Sequence, residues 1–344
     1  MSASSLITGI TGQDGALLAK NLVERGDNVT GLFRRSSSDN FWRLKDLGII
    51  DRVEMIEADI ESYVGLGDVL SNRKFDTVFH LAGSSFTAES FRKPWQTFSI
   101  NTSATFHLLE AVKNYSPESL VVLAGTSEVF GNKDNLNTEL ARGATSYFGP
   151  SNPYGLSHLS NMQVAEYYRN TYNLRIVIPI MFNHESEYRG VQFLTKKLCS
   201  GVARIHKGNG EPLLLGNMGA KKDWGSAKEF MGFLSSLTQL NFSGNFTLGT
   251  GRTTSIRDIV TQLFSILDVE VQFVGTGLDE KVIKKSNGVT LIGVDARYMR
   301  EKETQPFTAD SKDCFEIFGA APNKTVIDIL PDMLNFELRK WSRE

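Results

Sequence analysis

The sequence predicts an α/β protein built on a doubly wound parallel sheet, with a smaller α+β C-terminal domain. Short β-branched runs alternate with longer amphipathic runs through about the first half of the chain, as in a parallel sheet with helices on both faces. The rhythm changes after Phe182, where polar loops separate shorter elements. The 344 residues also suffice for about two domains of ~150 residues each.

The first part of the chain contains six predicted strands separated by helices. The strands are Ser4–Thr8, Asn28–Phe33, Arg52–Ile56, Thr77–Leu81, Ser119–Ala124 and Arg175–Ile180. The helices are Gln13–Arg25, Val64–Leu70, Ala104–Lys113 and Tyr154–Thr171, identified by apolar residues at helical spacing. This alternation predicts that the strands run parallel.

The second part of the chain is predicted to be smaller and more irregular. Its predicted elements are the strands Pro212–Leu215 and Val269–Val274 and the helices Ser255–Leu267 and Val326–Arg339. Another amphipathic helix, Lys228–Leu240, is expected to return the chain to the first domain. We therefore predict one domain over 1–177 plus about 223–248, and a second over 178–222 plus about 249–344.

Composition excludes several classes of protein. The net charge of −2 provides no basic field that would attract nucleic acid or a membrane surface. Two cysteines, Cys199 and Cys314, cannot form a disulfide framework, and their separation fits no metal site. The longest apolar stretch, Leu174–Phe182, is far shorter than the ~20 residues of a membrane span. The first residues lead into a strand rather than a signal peptide. We expect a cytoplasmic enzyme without a metal.

Gly9, Gly12 and Gly15 follow the first predicted strand with the spacing Gly-x-x-Gly-x-x-Gly. Glycines at this point let the backbone approach a pyrophosphate, which binds amides at the helix N-terminus, as in Rossmann dinucleotide-binding folds. The alternative is an ordinary tight turn between a strand and a helix. Other residues expected to line the dinucleotide site are Thr11, Gln13, Asp14, Leu81 and Ala82.

The second strand ends at Arg34 and Arg35, followed by Ser36. A site for NAD has an acidic residue about 20 residues after the glycines, whereas arginine accommodates the 2′-phosphate of NADP. The pattern favours NADP, with solvated loop charges as the alternative. Asp59, beside Ile60, is either an acceptor for the adenine amino group or a helix N-cap.

Two further segments bear groups suited to proton transfer. Thr126 and Glu128 follow the fifth strand, at the sheet edge where open α/β folds bind ligands. A hydroxyl donor and a carboxylate two residues apart suit a carbonyl substrate, although a capped turn is the alternative. Tyr154 and His158 lie four residues apart, on one face of the predicted helix Tyr154–Thr171. Tyr154 is a candidate proton acceptor, with a buried aromatic as the alternative.

These residues together resemble the extended short-chain dehydrogenase/reductases, and within them the GDP-mannose 4,6-dehydratase family. The matching segments are Thr-Gly-Ile-Thr-Gly-Gln-Asp-Gly at 8–15, Arg-Arg-Ser-Ser-Ser at 34–38, Thr-Ser-Glu at 126–128, Phe-Asn-His-Glu-Ser at 182–186, Gly-Asn-Met-Gly-Ala-Lys-Lys-Asp-Trp-Gly at 216–225 and Asp-Ala-Arg-Tyr-Met-Arg at 295–300. They follow the family's order over nearly the whole chain.

The resemblance implies a redox-neutral dehydration of a GDP-sugar, such as GDP-mannose or a GDP-heptose. Tyr154 would take the O4 proton while the C4 hydride passes to NADP⁺, Thr126 would bind O4, and Glu128 would remove the C5 proton. The C6 hydroxyl would leave as water and the hydride would return to C6.

Residues implied to bind the substrate are Ser84, Asn183, Lys197, Lys222, Arg300 and Glu303, and His184 is implied at the cofactor. Without the resemblance, a capping amide and exposed cations would explain Asn183, Lys197 and Arg300. The family also implies a homotetramer or homodimer, in which the loop of Arg35 and Ser36 approaches a neighbour's cofactor.

Three positions depart from the family pattern. The lysine of Tyr-x-x-x-Lys is His158, whose reference pKa near ~6.5 leaves it mostly neutral at pH 7. Lys222 replaces an arginine before Asp-Trp-Gly, and Tyr188-Arg189-Gly190-Val191 replaces a more charged loop. The alternatives to a dehydratase are a C4 reductase or epimerase on the same scaffold, or a weakly active partner subunit that binds a GDP-sugar and NADP.

Overall fold

The computed structural model describes residues 2–131, 148–208, 210–299, 308–310 and 312–341. Its strands are β1 (Ser4–Thr8), β2 (Asn28–Phe33), β3 (Glu54–Glu57), β4 (Thr77–His80), β5 (Leu120–Leu123), β6 (Gly125–Thr126), β7 (Ile176–Met181), β8 (Asn183–Glu185), β9 (Leu213–Leu215), β10 (Lys221–Ser226), β11 (Gly244–Leu248), β12 (Thr253–Ser255), β13 (Val271–Val274), β14 (Lys281–Lys284) and β15 (Thr290–Val294).

The α-helices alternate with these strands in the first half of the chain. They are α1 (Gln13–Arg25), α2 (Trp42–Asp46), α3 (Tyr63–Asn72), α4 (Thr87–Arg92), α5 (Pro94–Phe98), α6 (Ala104–Tyr115), α7 (Pro153–Tyr172), α8 (Leu194–His206), α9 (Ala227–Ser236), α10 (Ile256–Ile266), α11 (Lys312–Phe318) and α12 (Val326–Trp341). Among the helices described, none is both long and apolar enough to cross a membrane.

The described chain divides into two compact units. Unit 1 comprises residues 1–182, 227–249 and 310–322, and unit 2 comprises 183–226, 250–309 and 323–344. Residues 310–322, which the sequence analysis placed with the second domain, belong to unit 1 because α11 lies beside β11. There, the Asp313 carboxylate accepts hydrogen bonds from the Thr247 amide and hydroxyl at 3.0 and 3.1 Å.

Unit 1 is built on a parallel sheet in the order β11-β7-β5-β4-β1-β2-β3, with β6 paired to β7. Every strand pair in this sheet is parallel. β1 lies in its interior, between β2 and β4, with Leu6 opposite Thr30 on one side and Val78 on the other. Strands paired on both sides and covered by helices are buried on both faces, and Leu6 and Ile7 are accordingly fully buried. The predicted doubly wound α/β fold is confirmed.

Unit 2 contains two small sheets and a helical core. β10 pairs with β12 antiparallel and with β8 parallel. The other sheet has the order β13-β14-β15-β9, of which only β9 pairs parallel to its neighbour. α8, α10 and α12 supply apolar faces to one core, whose buried members include Leu198, Trp224, Ile259, Leu263 and Leu330.

A substitution at Gly9 would test the close approach between the turn after β1 and the Ala82 backbone. Its φ is +73°, and an added Cβ would lie 2.8 Å from the Ala82 backbone. Gly26 follows the last residue of α1 with a φ of +95°, and a Cβ added there would have no atom within 4 Å. Gly26→Ala should therefore cost only the left-handed backbone strain, about 1 kcal/mol.

Gly9→Ala should lose about 2 kcal/mol or more beyond that cost, because the contact with Ala82 adds to the same strain. Urea unfolding curves of the two variants and the parent protein would measure the difference. Equal losses in the two variants would show that the loops move apart without cost.

Candidate active site

The candidate site lies at the carboxyl edge of the unit 1 sheet. Because all strands of this sheet are parallel, the segments after β1, β2, β3, β4 and β6 meet at this edge. The strand order reverses between β1 and β4, and open α/β sheets bind ligands at such a point. The residues predicted in unit 1 for cofactor and catalysis follow these strands or lie on α7.

The glycine turn is shaped by close backbone contacts. An added Cβ at Gly15 would lie 2.3 Å from the Gly9 carbonyl oxygen, so only glycine lets α1 start so near the turn. At Gly12 the nearest atom to an added Cβ is that same oxygen, at 3.2 Å. α1 begins at Gly12 without a side-chain cap. The amides of its first turn are therefore suited to an anion.

The ends of β1 and β4 are joined through Thr8. Its hydroxyl oxygen accepts from the Ala82 amide at 3.2 Å and is 2.9 Å from Nδ1 of His80. Because the Thr8 oxygen accepts from Ala82, its proton is available for the His80 nitrogen. Burial and the nearby His158 lower the pKa of His80 to about 4. His80 is thus a neutral structural side chain beneath the loops.

The predicted adenosine side of the site is more open. Arg34, Arg35 and Ser36 are exposed after β2. Asp59 is not the helix N-cap considered as its alternative, because Ser62 caps α3 by accepting from the Gly65 amide. Instead, the Asp59 carboxylate accepts from the Glu61 amide at 3.0 Å, which shapes the turn after β3.

Sequence reasoning missed Arg43 of α2. Its guanidinium donates to the Thr11 carbonyl oxygen at 2.9 Å and lies over the Trp42 ring. Arg43 therefore holds the glycine turn from the side of β2. Arg43 follows two half-buried aromatic residues, Phe41 and Trp42, in a helix of five residues. Such a short helix gives no periodic signal by which the contact could be predicted.

Thr126 and Glu128 form a capped turn at the end of β6. The Thr126 hydroxyl oxygen accepts from the Glu128 amide at 3.3 Å. The Glu128 carboxylate accepts from Nδ2 of Asn152 at 2.8 Å. The capped-turn alternative is thus correct as local structure, and it leaves the Thr126 hydroxyl proton available to a ligand oxygen.

The first turn of α7 approaches this segment closely. An added Cβ at Gly155 would lie 2.5 Å from the Glu128 carbonyl oxygen. The Asn152 side chain caps the helix by accepting from the Gly155 amide at 2.8 Å. The structure therefore brings Thr126, Glu128 and the helix that bears Tyr154 into one cluster.

His158 packs against Tyr154. The two ring centroids are 4.6 Å apart at 72°, an edge-to-face contact. His158 donates to the Ala124 carbonyl oxygen, and burial still lowers its pKa to about 4. Its buried Nδ1 has no hydrogen-bond partner among the described residues. Position 158 therefore presents a neutral ring with an acceptor nitrogen, where a lysine would present a cation with donors.

Asn101 is a second residue that sequence reasoning missed. It lies in a π-helical turn, Ser99–Ser103, and is 3 % exposed. Its side-chain oxygen accepts from the Ser84 amide at 2.7 Å, and its nitrogen donates to the Ser157 hydroxyl at 3.0 Å. Asn101 thus ties the segment after β4, with the predicted substrate residue Ser84, to α7. A lone asparagine within an amphipathic run gives no signal of this role.

The other predicted substrate residues lie in unit 2 or outside the described chain. Asn183 is in β8, beside His184, which was predicted at the cofactor, and Lys222 is in β10. Lys197 donates to the Leu214 carbonyl oxygen at 2.9 Å, and its ammonium lies 3.9 Å from the centre of the Tyr298 ring. It is therefore not a bare exposed cation. The predicted residues Arg300 and Glu303 lie outside the described residues, so their roles stay predictions.

No metal centre or reactive thiol competes with this site in the part of the chain that is described. No group of three or more His, Cys, Asp or Glu there is arranged to hold a metal. Cys199 and Cys314 are buried and unbridged, and burial raises the pKa of both thiols, that of Cys314 to about 12. A thiolate is disfavoured at both positions.

The two histidines make stability depend on pH. Their folded pKa values of about 4 lie below the ordinary value of 6.5. The unfolded chain therefore binds more protons between these limits, and stability falls as pH drops from 6.5 toward 4. His158→Gln, which still offers a donor for Ala124, should reduce the loss between pH 7 and 5 by about 2 kcal/mol.

Urea unfolding at several pH values would measure that loss. His206→Gln is the matched control, because His206 is exposed at the end of α8. It should leave the pH dependence of the parent protein unchanged. The same slope in the parent protein and in His158→Gln would contradict the assignment of His158 as a buried neutral ring.

Comparisons with known proteins agree with this architecture. The sequence model of the GDP-mannose 4,6 dehydratase family matches residues 6–333. The GDP-mannose 4,6-dehydratase of Vibrio cholerae is 31 % identical over 98 % of this chain and 94 % of its own. The human GDP-mannose 4,6 dehydratase is 31 % identical over 97 % of this chain and 91 % of its own.

Solved structures share the fold at lower identity. One is the UDP-N-acetylglucosamine 4-epimerase of Methanobrevibacter ruminantium, with a TM-score of 0.80, 18 % identity and coverage of 99 % of this chain and 100 % of its own. Another is RMD from Pseudomonas aeruginosa complexed with NADPH, with a TM-score of 0.76, 18 % identity and coverage of 98 % and 100 %. With the family model covering nearly the whole chain, the protein belongs to the GDP-mannose 4,6 dehydratase family.

Proposed function

We propose that this chain is an NADP-dependent dehydratase that converts a GDP-sugar, of the GDP-mannose or GDP-heptose type, into the GDP-4-keto-6-deoxy sugar. The observation that carries the proposal is the cluster of Thr126, Glu128 and the first turn of α7 at the carboxyl edge of the sheet. Membership of the family supports the substrate class.

The residues after β1 fit a dinucleotide. The uncapped start of α1 at Gly12 offers backbone amides to a diphosphate. The exposed Arg34 and Arg35 at the end of β2 would hold a 2′-phosphate, with Ser36 as a further donor, and Asp59 would accept from the adenine amino group. When bound, the nicotinamide would accept a hydride from sugar C4 and return it at C6.

The remaining steps are proton transfers by residues of the cluster. Tyr154, as the phenolate, takes the proton of the C4 hydroxyl as C4 becomes a ketone, and Thr126 donates a hydrogen bond to O4. The ketone acidifies the C5 hydrogen, which Glu128 removes and passes to the departing C6 hydroxyl, so that water leaves. As the hydride returns to C6, the proton taken from O4 passes from Tyr154 to C5. Tyr154 and Glu128 then regain their starting states, and the net change is the loss of one water.

His158 would act here without a positive charge. As a neutral ring that donates to Ala124, it places no positive charge beside the Tyr154 phenol, where a lysine would place one. We propose that Asn183, Lys197, Lys222 and Arg300 bind the substrate diphosphate and sugar, and that Glu303 binds its ribose.

We also propose that the protein is a homo-oligomer, a tetramer or a dimer. Several large apolar side chains of α4–α7 are more than 40 % exposed, among them Phe91, Trp95, Phe106 and Leu156. Helices bearing such side chains are typical of subunit interfaces. Light scattering of the purified protein would give the assembly state.

The dehydratase proposal is tested by incubating the purified protein with GDP-mannose and, separately, a GDP-heptose. We expect loss of one water and formation of a 4-keto product without added NADPH. Glu128→Gln should lower the rate at least about 100-fold, because it removes the proton acceptor, and should leave substrate binding largely intact. Mass spectrometry would detect the product, and calorimetry would measure binding.

The alternatives give different results in the same assay. A C4 reductase would consume added NADPH, and an epimerase would form an isomer of unchanged mass. A binding subunit would do neither, although it would still bind the GDP-sugar. Any of these results in place of water loss would overturn the dehydratase proposal.

The cofactor preference is tested with the double variant Arg34→Ala, Arg35→Ala. It should bind NADP about 10- to 100-fold more weakly, because charged hydrogen bonds to the 2′-phosphate are lost, and bind NAD almost unchanged. The control is Lys74→Ala, which removes an exposed charge just before β4, at the opposite edge of the sheet. Equal loss of NAD and NADP binding would contradict recognition of the 2′-phosphate.

A further inference from the structure

We propose that Asn152 is a positioning residue that orients the Glu128 carboxylate as a proton acceptor and fixes it to the helix that bears Tyr154. This inference rests on the proposed function, because it assigns Glu128 the proton transfer at C5. In the sequence only Tyr154 of Asn-Pro-Tyr at 152–154 indicates a chemical role, whereas the structure shows what Asn152 contacts.

Both the oxygen and the nitrogen of the Asn152 side-chain amide form hydrogen bonds. Its oxygen accepts from the Gly155 amide at 2.8 Å, and its nitrogen donates to Oε2 of Glu128 at 2.8 Å. Asn152 is 8 % exposed, so both bonds are largely shielded from water. The orientation of the amide is fixed by the helix, because only the oxygen can accept from the Gly155 N–H. The nitrogen must therefore face Glu128.

A donor at this position favours one protonation state of the carboxylate. An N–H that points at Oε2 stabilises an ionised oxygen, so Asn152 favours the proton-accepting form of Glu128. The Glu128 amide is bound to the Thr126 hydroxyl at 3.3 Å, and its carbonyl oxygen lies against Gly155. The backbone of residue 128 is thus held, and Asn152 sets the direction of its side chain.

The same residue places the two proton-transfer groups relative to each other. Tyr154 is two residues after Asn152, in the turn that the Asn152 oxygen caps. Any displacement of Glu128 is therefore transmitted to the start of α7, and the reverse also holds. A serine or aspartate would cap the helix equally well, so capping alone does not require an asparagine.

Two variants keep the cap and separate it from the contact with Glu128. Asn152→Asp has nearly the same shape but places a carboxylate oxygen where the donor was, so that two carboxylates share one proton. Asn152→Ser caps the helix with a shorter side chain that does not reach Glu128. If Asn152 acted only as the helix cap, the two variants would show the same pH dependence.

In the activity assay we expect the acid limb of the kcat profile to move to higher pH by about one unit or more in Asn152→Asp, and much less in Asn152→Ser. At pH 7 kcat should fall at least about 10-fold in Asn152→Asp, with KM changed less than about threefold. Overlapping pH profiles for the two variants would overturn the proposal.

A second measurement needs neither substrate nor cofactor. The shared proton raises the pKa of the carboxylate pair in Asn152→Asp, so its stability relative to Asn152→Ser should fall as pH rises from about 5 to 8. Adding Glu128→Gln to Asn152→Asp restores a donor and an acceptor with their positions exchanged. That double variant should lose the pH-dependent difference, as followed by thermal unfolding.

The two measurements separate the two hypotheses. If the parent protein forms no 4-keto sugar, the proposed function fails, while the unfolding experiment still decides whether Asn152 controls the charge of Glu128. If the parent protein is active, and Asn152→Asp and Asn152→Ser show the same pH dependence of both activity and unfolding, the proposal for Asn152 fails and the proposed function stands.

Discussion

The site depends on direct contact between backbone segments at positions where no side chain fits. Gly9 lies against Ala82, Gly15 against the Gly9 carbonyl oxygen, and Gly155 against that of Glu128. The first contact brings the segments after β1 and β4 together, the second closes the turn into α1, and the third brings the start of α7 against the segment after β6. The hydrogen bonds of Thr8, Asn101 and Asn152 then fix segments that glycine alone would leave loose.

The sheet and its helices could be predicted because their residues follow one strong pattern. β1, β2 and α1 have the predicted bounds, since the alternation of buried strands and amphipathic helices is uninterrupted there. The short elements α2, α4 and α5 were not predicted, because helices of one or two turns carry too little periodicity. β10 was missed for another reason: its sequence, Lys221–Ser226, is mostly polar, and burial comes from its two neighbouring strands.

The candidate site was predictable where a chemical motif marks it. Glycine spacing, paired arginines and Thr-x-Glu each indicate their chemistry without the fold. Asn101 and Asn152 lie outside any such motif, since the value of an amide depends on which donors and acceptors the fold places around it. Asn101 binds Ser84, which is 17 residues away in the sequence, and Ser157, which is 56 residues away. Asn152 binds Glu128, which is 24 residues away. Such contacts cannot be inferred from local sequence.

Neutral side chains, including His158, supply most of the hydrogen bonds described in this site. Thr8, Asn101, Asn152 and His158 each offer directed donors or acceptors, and burial keeps His80 and His158 uncharged near pH 7. A buried cation at position 158 would add to the cost of desolvation, whereas a neutral ring needs only its bond to Ala124. In the proposed mechanism, the phenol of Tyr154 therefore relies on its ligands for activation. The Glu128 carboxylate, which accepts a hydrogen bond from Asn152, is then the charged group that the protein itself would bring to proton transfer.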